Sequence, residues 1–439
     1  MITVSDPVHG FIKIREEFML IKDLLAKYEV QRLRRIKQLG MGFLVFPSAE
    51  HTRFPHAVGA MGLLSDALNI LQEKGTKISK DERLAALSAI LLHDIGHGPF
   101  SHTLEFKLIE KVNPNGQIPT NEKSNGISHE DIGKALIRRL NAQMEGQLDL
   151  ALKMIENDYN ERPFFSQLIS GQLDVDRLDY LRRDSLFTGV VEGKIGVDRI
   201  LSTLCVYPKK GGEDSCLAIE SKGVYAVENV LVARRLMYWQ VYLHKTVVAA
   251  DAVLHGVIER ARDLIIQGNL KAVDGIPKAL KCLLGRKFTT EMLNDNKVLD
   301  QFLYLDDSAI TDSIKKWCES NDPILANLSK RMMKRDLFRC ELKSKEEIDE
   351  LEHTKTAEVL EALTQKGIND PDASKYYIHK GCSRHSTYEP DEGNIRVLNS
   401  ENKLVNLDKY TQDATFIGVL TDFERKPYLC YPKCTKKLL

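Results

Sequence analysis

Apolar residues recur at helical spacing through most of the first 260 residues of the chain. The segments from Glu17 to Gln38 and from His56 to Glu73 place apolar side chains three or four residues apart, which predicts amphipathic helices. A further apolar run, Leu84–Leu92, follows the acidic residues Asp81 and Glu82, which are favourable at the positive end of a helix. Lys74–Lys80, which contains a glycine, is then expected to be the turn between two helices.

Beyond this run, breakers and new helical patterns alternate. Glycines and a proline in Gly96–Pro99 must end the helix, and the Asn-, Gly-, Pro- and Ser-rich stretch Asn113–Ser128 predicts a surface loop. Leu201–Ile219 predicts a β-hairpin, because two short apolar runs flank a Lys-Lys-Gly-Gly turn. Helices are predicted to resume near His129, Phe164 and Gly223, with one long amphipathic pattern from Glu228 to Arg260.

The pattern changes after about Ile266. Helical segments continue to about Leu363, whereas Tyr376–Tyr431 contains short runs of β-type residues, namely Tyr-Tyr-Ile-His, Ile-Arg-Val-Leu, Thr-Phe-Ile-Gly-Val-Leu and Tyr-Leu-Cys-Tyr. The sequence therefore predicts a mainly α fold, with a helical core over residues 1–265 and a smaller mixed α+β C-terminal lobe over residues 266–439.

Charge and composition exclude several classes of function. Lysine plus arginine equals aspartate plus glutamate at 62 each, so no global field favours nucleic acid or an anionic membrane. The chain has no secretory signal pattern and no apolar stretch of about 18 residues. Its eight cysteines form no Cys-x-x-Cys pair, and the Cys430/Cys434 spacing is weak evidence for a metal site. These features predict a cytoplasmic protein with reduced thiols and no membrane partner.

Histidine and aspartate carry the candidate chemistry. Six of the twelve histidines lie between Phe46 and Glu130, and the doublet His93-Asp94 ends a buried apolar run. Burying two ionisable groups is costly unless something binds them, and imidazole nitrogen with carboxylate oxygen suits a divalent metal. A further carboxylate is expected from the aspartate-rich segment Gln172–Asp184, in which Asp176 and Asp184 share one helix stripe with Tyr180.

The order His…His-Asp…Asp resembles the signature of the HD-domain metal phosphohydrolases. Longer motifs are similar to those of the deoxynucleoside triphosphate (dNTP) triphosphohydrolases, which include bacterial dGTPases and an animal enzyme with a sterile-alpha-motif domain. These motifs are Asp6-Pro-Val-His-Gly, Gln31-Arg-Leu-Arg-Arg-Ile-Lys-Gln-Leu-Gly, Thr52-Arg-Phe-Pro-His, His93-Asp-Ile-Gly-His-Gly-Pro-Phe-Ser-His and Asp174-Val-Asp-Arg-Leu-Asp-Tyr. The likeness covers most of the chain, more loosely after Arg335, and leaves no room for a sterile-alpha-motif domain.

The resemblance implies a role for each matched residue. His56, His93, Asp94 and Asp176 would bind a divalent metal (Mn, Fe, Ni, Zn or Mg), with Mg accompanying the nucleotide. The substrate, a dNTP, would be held at its triphosphate by Arg53, Arg177, Tyr180 and Arg234, at its 3′-hydroxyl by Gln38 and Asp184, and at its sugar by Leu39 and Tyr242, with Tyr238 and Leu243 near the base. Leu39 would leave no space for a 2′-hydroxyl.

Proton transfer requires a further group. His102 and Glu105 are three residues apart, so the carboxylate can orient the imidazole, and this pair is the favoured acid/base unit. His97 and His129 are expected to line the phosphate site.

Regulation is also implied by the resemblance. Basic positions of a second, activating nucleotide site between subunits match Arg34, Lys222, His244, Lys245, Arg335 and Arg339, and a homo-oligomer, a tetramer by resemblance, is expected. Ala26 or Lys27 stands where the animal enzyme has its guanine-reading aspartate, which leaves the activating nucleotide open.

Purely structural roles and other functions are alternatives to these assignments. Isolated histidines such as His9, His51 and His255 are more often core residues than ligands, and Asp174 and Asp179 are expected to be capping or salt-bridge groups. Two other functions stay open: a phosphohydrolase acting on another nucleotide or on single-stranded nucleic acid, which no motif specifically supports, and a non-enzymatic nucleotide-binding oligomeric scaffold.

Overall fold

Helices dominate the computed structural model, which describes residues 2–15, 18–111, 126–208, 215–385, 388, 393–410 and 424–433. The mainly α fold predicted from the sequence is confirmed. In chain order the α-helices are α1 (Met19–Ala26), α2 (Tyr28–Gln31), α3 (Arg53–Glu73), α4 (Lys80–Leu92), α5 (Glu105–Leu108), α6 (His129–Gln143), α7 (Asp149–Ile155), α8 (Phe164–Ile169), α9 (Val175–Thr188), α10 (Val197–Thr203), α11 (Val224–Met237), α12 (Lys245–Ile266), α13 (Lys278–Leu284), α14 (Asn296–Tyr304), α15 (Asp307–Trp317), α16 (Pro323–Met333), α17 (Lys345–Thr364) and α18 (Leu407–Tyr410).

Short strands form small sheets around the helices. They are β1 (Ile2–Asp6), β2 (Gly10–Ile14), β3 (Glu110–Lys111), β4 (Leu204–Tyr207), β5 (Cys216–Glu220), β6 (Lys287–Phe288), β7 (Arg339–Leu342), β8 (His379–His385), β9 (Arg396–Leu398), β10 (Leu404–Asn406) and β11 (Glu424–Tyr431). The strand orders are β1-β2, β10-β9-β5-β4, β7-β11-β8 and β3-β6. Since β5 pairs in parallel with β9, strands on both sides of residue 265 share one sheet, and the two-domain division stays a prediction.

Helices α3, α4 and α9 form the frame of the site. Ser79 caps α4 through a capping box with Glu82, and Asp174 caps α9 by accepting the backbone N–H of Arg177. Gly59 lets α3 approach α9 closely, because a Cβ atom there would lie 2.2 Å from both the Arg183 Nη2 and the Asp179 Oδ1 atoms. The caps and this contact fix where each helix begins relative to its neighbours.

The long helix predicted from Glu228 to Arg260 is wrong. The chain instead forms α11, a π-helical turn over Tyr238–Tyr242, and then α12, whose N-cap is His244. The one glycine of the segment, Gly256, lies inside α12, and the segment has no proline, so no breaker signals the interruption. π-Helical turns often occur at functional sites, and this one turns Tyr238 and Tyr242 towards the same cavity.

Other local predictions have mixed outcomes. The hairpin is confirmed, with Leu204 opposite Ile219, although its turn at 209–214 lies outside the described residues. The expected strand at Tyr376–His379 is wrong for its first residues, because Ala373–Tyr376 is a 3₁₀-helix and β8 begins at His379. Most of the predicted loop at 113–128 and the run at 415–420 also lie outside the described residues.

Within the described residues, no single helix has the length and apolar character needed to cross a membrane. One pair of helical segments, Ser221–Tyr242 and Lys245–Ile266, passes that test together by length and composition only, with a bend of 51° between them.

Candidate active site

The four predicted metal ligands converge where α3, α4 and α9 meet. His56 comes from the first turns of α3, His93 caps the end of α4 and is followed by Asp94, and Asp176 lies in the first turn of α9. The Asp176 Oδ1 atom is 2.9 Å from His56 Nε2 and 3.4 Å from His93 Nε2. Asp94 reaches the same point, with its Oδ1 atom 3.4 Å from His93 Nε2.

The cluster has the donor chemistry and the spacing of a metal site. Ring nitrogens of His56 and His93 and a carboxylate oxygen of Asp176 lie within 4.8 Å of one another. The His93 Nδ1 atom is held by the carbonyl of Ile90 at 2.6 Å, while its buried Nε2 atom has no hydrogen-bond partner within the described part of the chain. An orphaned imidazole nitrogen directed at two carboxylates fits a divalent cation.

The electrostatics of the cluster favour a positive charge at its centre. Burial alone would lower the pKa of His56, but hydrogen bonds and charges of Asp176 and Asp179 raise it to about 10. Burial likewise opposes protonation of His93, yet Asp94 and Asp176 raise its pKa to about 9. Both rings are thus drawn towards the protonated form, and a bound cation would supply the positive charge that these carboxylates favour.

Asp94 also contacts a predicted phosphate-binding residue. The Nη1 atom of Arg53 lies 2.5 Å from the Asp94 Oδ2 atom, and Arg53 Nε donates to the Ser101 hydroxyl at 2.7 Å. Burial would raise the pKa of Asp94, but Arg53 and neighbouring histidines hold it well below its usual range. Arg53 therefore keeps Asp94 ionised while facing the cavity.

Three histidines form a second cluster beside the metal ligands. The rings of His97 and His129 stack with centroids 3.9 Å apart, and His102 stands edge-on to both. Glu105 accepts from His102 Nδ1 at 2.7 Å and also from His129 Nδ1 and the His129 backbone N–H. Nitrogens of the three rings are close enough to hold an ion themselves.

The members of this second cluster differ in exposure and charge. The His102 side chain is 65 % exposed, whereas that of His97 is 2 % exposed. Burial and the charge of Arg53 hold the pKa of His97 well below its usual range, so this ring is neutral. Burial would raise the pKa of Glu105, but its bonds from His102 and His129 hold it well below its usual range. Glu105 is therefore an ionised orienting group for two histidines, not for one.

A cavity of about 900 Å³ joins both clusters to the predicted substrate residues, a volume typical of a small-molecule site. Among the predicted residues, its lining includes Gln38, Leu39, Arg53, His93, Asp94, His97, His102, His129, Asp176, Arg177, Tyr180, Asp184, Tyr238, Tyr242 and Leu243. Arg234 is not among the lining residues; its guanidinium carbon lies 5.7 Å from the centroid of the Tyr238 ring.

Among the expected sugar-binding residues, Asp184 is held in place by its neighbours, whereas Gln38 has an unpartnered side-chain oxygen among the described residues. The Asp184 carboxylate is 2.8 Å from His51 Nε2 and accepts from the Tyr242 hydroxyl at 2.8 Å. The buried Gln38 Oε1 atom has no hydrogen-bond partner among the residues that the structure describes. His51, interpreted from the sequence as a core residue, thus orients a cavity-lining carboxylate. Its position in the His51–His56 motif was the only signal for this role.

The contacts of Asp179 and His9 also extend beyond the roles expected from the sequence. The Asp179 carboxylate binds His56 Nδ1 at 2.7 Å and His9 Nε2 at 2.6 Å. Burial would raise the pKa of Asp179, but the charge and hydrogen bonds of Arg183, with bonds from both histidines, hold it well below its usual range. It is therefore an ionised partner of a metal-ligand histidine, with a salt bridge as only part of its role.

Asp251 is a cavity-lining group that no sequence motif indicated. It lies on α12 and accepts a hydrogen bond of 2.9 Å from the Thr103 hydroxyl. Burial raises its pKa to about 7, although the bond from Thr103 opposes this shift. A single aspartate in an apolar helix carries no spacing signal.

Five of the six predicted regulatory residues have local partners in the chain. Arg34 lies over the Phe54 ring at 3.6 Å, Arg335 donates to the Leu44 carbonyl, and His244 accepts from the backbone N–H of Thr246. Lys222 forms an ion pair with Glu220, Arg339 forms one with Glu341, and Lys245 is exposed. A joint nucleotide site formed by these residues stays a prediction.

Comparisons with known proteins agree with this geometry. The family model for the HD domain matches residues 53–184, and that for the HD associated region matches residues 195–274. The first match begins at Arg53 and ends at Asp184, so it contains all four predicted metal ligands.

Individual relatives include proteins of known and unknown role. The crystal structure of a phosphohydrolase from Bacteroides thetaiotaomicron is 39 % identical and has a TM-score of 0.84, with 98 % of this chain and 99 % of that chain covered. The uncharacterized protein YwfO of Bacillus subtilis is 33 % identical over 76 % of this chain and 70 % of its own length. The human deoxynucleoside triphosphate triphosphohydrolase SAMHD1 is 29 % identical over 60 % of this chain and 45 % of its own length. Together with the His/Asp cluster, these matches show that the chain belongs to the HD-domain phosphohydrolase family.

Proposed function

We propose that the protein is a metal-dependent dNTP triphosphohydrolase that releases a deoxynucleoside and inorganic triphosphate. The single observation that carries this proposal is the shared cavity of about 900 Å³. It is lined by residues of the predicted metal-ligand cluster, by arginines and by the polar groups expected to bind the sugar. The similarity to SAMHD1 supports the same substrate class.

The metal cluster would hold the cation through His56, His93, Asp94 and Asp176. A divalent metal bound there supplies Lewis-acid polarisation and neutralises charge at the phosphate. Manganese, iron, nickel, zinc and magnesium are all candidates, because mixed imidazole and carboxylate donors accept each of them.

Arginines provide the positive charge for the triphosphate. Arg177 lies in the cavity wall, and its buried Nη1 atom has no hydrogen-bond partner in the described ranges. Arg53 lines the cavity as well, although part of its charge is used by Asp94. A guanidinium with a spare donor suits phosphate oxygens, and Tyr180, which also lines the cavity, can add a hydroxyl donor.

The sugar would be bound by groups that are already oriented. Asp184 is fixed by His51 and Tyr242, and the free Oε1 atom of Gln38 offers an acceptor for a hydroxyl. Two polar groups directed at a 3′-hydroxyl favour a nucleotide with that group free. Leu39, also in the cavity wall, would exclude a 2′-hydroxyl.

His102 would donate the proton that the departing 5′-oxygen requires. Its ring is in the cavity wall and oriented by Glu105, the arrangement expected of a general acid. His97 and His129 would contact phosphate oxygens from the same wall.

The cellular setting is part of the same proposal. We expect a cytoplasmic homo-oligomer, a tetramer by resemblance to the dNTP triphosphohydrolases, with an activating nucleotide bound by Arg34, Lys222, His244, Lys245, Arg335 and Arg339. Size measurement with and without added nucleotide tests this expectation.

The direct test is product analysis. The metal-supplemented protein is incubated with each dNTP and each rNTP, and the products are separated by ion-exchange chromatography, with His93→Ala as the inactive control. Deoxynucleoside and triphosphate in equal amounts are expected. Release of pyrophosphate and a monophosphate, or turnover of rNTPs alone, would contradict the proposal.

A further inference from the structure

One buried carboxylate connects the N-terminal hairpin to the metal cluster. The Asp179 Oδ2 atom accepts from His56 Nδ1 at 2.7 Å and from Arg183 Nε at 2.9 Å. Its Oδ1 atom accepts from His9 Nε2 at 2.6 Å and from Arg183 Nη2 at 2.9 Å. Both oxygens are therefore saturated, and the side chain is fully buried.

The hairpin turn between β1 and β2 is built to present this contact. The Asp6 Oδ1 atom accepts from the backbone N–H groups of Val8 and His9, each at 2.9 Å, which fixes the turn. Its Oδ2 atom accepts from Arg183 Nη1 at 2.9 Å. Gly10 closes the turn with a φ of +72°, a conformation that glycine adopts without strain. Thus Asp6 and His9 together hold Arg183 and Asp179 from one side.

The geometry of His56 depends on this carboxylate. With Nδ1–H donating to Asp179, the proton is fixed on that nitrogen and Nε2 is directed at Asp176, 2.9 Å away. Carboxylates bonded to the far nitrogen of a histidine ligand fix its tautomer and ring angle. A change in the angle of Asp179 would therefore change the direction of the His56 donor.

We propose that the β1–β2 turn is a positioning element of the metal site, acting through His9 on Asp179 and through Asp179 on His56. His9 is not among the described residues that line the cavity, so it is a positioning residue and not a catalytic one. The proposal concerns metal binding alone and holds whichever phosphoester the enzyme cleaves.

The test measures metal binding without substrate. The full chain is depleted of metal and titrated with Co²⁺, whose visible absorption reports the number and geometry of its ligands. His9→Ala is expected to weaken Co²⁺ binding about 10–100-fold, the usual effect of losing such a partner, and to change the absorption spectrum. His9→Gln is expected to restore most of the affinity, because its amide N–H can replace His9 Nε2–H.

Two controls separate positioning from general stability. Phe11→Ala alters a side chain on the same hairpin that is 73 % exposed, and it should leave the Co²⁺ affinity unchanged. His9→Asn is as polar as His9→Gln but too short to reach Asp179, so it should resemble His9→Ala. If His9→Ala does not fold, the comparison of the two amides decides the question.

The proposal is overturned if folded His9→Ala binds Co²⁺ with the wild-type affinity and spectrum, or if the two amide variants bind it equally. An enzyme that fails to hydrolyse dNTPs would defeat the proposed function and leave this result untouched, since no nucleotide enters the titration.

Discussion

The Nδ1 atom of His102 lies 2.7 Å from the Oε2 atom of Glu105, and the other oxygen of the same carboxylate binds His129. One ionised acid thus orients two imidazoles, of which His102 is the more exposed. Because Glu105 can orient either ring, His102 and His129 both have the carboxylate partner that a proton donor needs. A test of the acid/base assignment must therefore compare the two histidines.

We predict that His102→Ala retains metal and loses turnover by about 10²–10⁴-fold, the usual contribution of a general acid. The value of kcat is measured beside metal content by elemental analysis, with His129→Ala as the matched variant. A loss of kcat confined to His129→Ala would reassign the proton donor to that ring.

We predict that His93→Ala loses both the metal and the activity. The Nδ1 atom of His93 is hydrogen-bonded to the Ile90 carbonyl of its own helix, so removing the ring takes away a local contact there, while two carboxylates lose a cationic partner. Metal content and turnover are compared with His353→Ala, an exposed residue of α17. Full metal occupancy in His93→Ala would show that the ion binds elsewhere.

The sequence predicted which histidines and aspartates come together because the signal in each segment is local. His93-Asp94 ends an apolar helix, and the downstream aspartates recur at helical spacing, so both segments place ionisable groups on otherwise apolar helices. The sequence likewise predicted that Asp174 caps a helix, because this residue precedes an apolar helical run, and Asp174 is the N-cap of α9. Helix ends and caps depend on residues that are near one another in the sequence, so a single sequence reveals them.

The parts that sequence did not predict depend on contacts between distant segments. His9 meets Asp179 across 170 positions, and His51 meets Asp184 across 133. No spacing rule connects such pairs, so each histidine looked like an ordinary core residue. The π-helical turn at Tyr238–Tyr242 was missed because no glycine or proline marks the point at which the helix is interrupted.

We predict that Asp251 makes the stability of the fold depend on pH. Its pKa is raised from 3.8 to about 7 in the folded chain by burial, so between these values the folded state keeps a proton that the unfolded state has released. The contribution of Asp251 to stability is then largest at low pH and falls by up to about 1.4 kcal/mol per pH unit as the pH rises through this window.

The variant Asp251→Asn should remove this term, since the asparagine oxygen still accepts from Thr103 and carries no charge. Thermal unfolding is measured for both proteins from pH 5 to pH 8, and the difference between them cancels pH effects that they share. The variant should gain stability relative to wild type as the pH rises to about 7, and a constant difference would contradict the prediction.

Finally, we predict that Leu39 is the main cause of discrimination against ribonucleotides. Leu39 is half-buried in the cavity wall, directly after Gln38, and its carbonyl accepts a hydrogen bond of 2.8 Å from the backbone N–H of Gly42, which holds the loop. A 2′-hydroxyl against this side chain would have no hydrogen-bond partner there, which costs roughly 1–3 kcal/mol, or about ten- to a hundredfold in selectivity, before any steric clash. Leu39→Ala should raise kcat/KM for GTP relative to dGTP. Activity on dGTP should fall less, because Gln38 and Asp184 remain to bind the 3′-hydroxyl. Equal kcat/KM for GTP and dGTP in the unmodified protein would remove the basis for this role and favour an HD phosphohydrolase of broader substrate range.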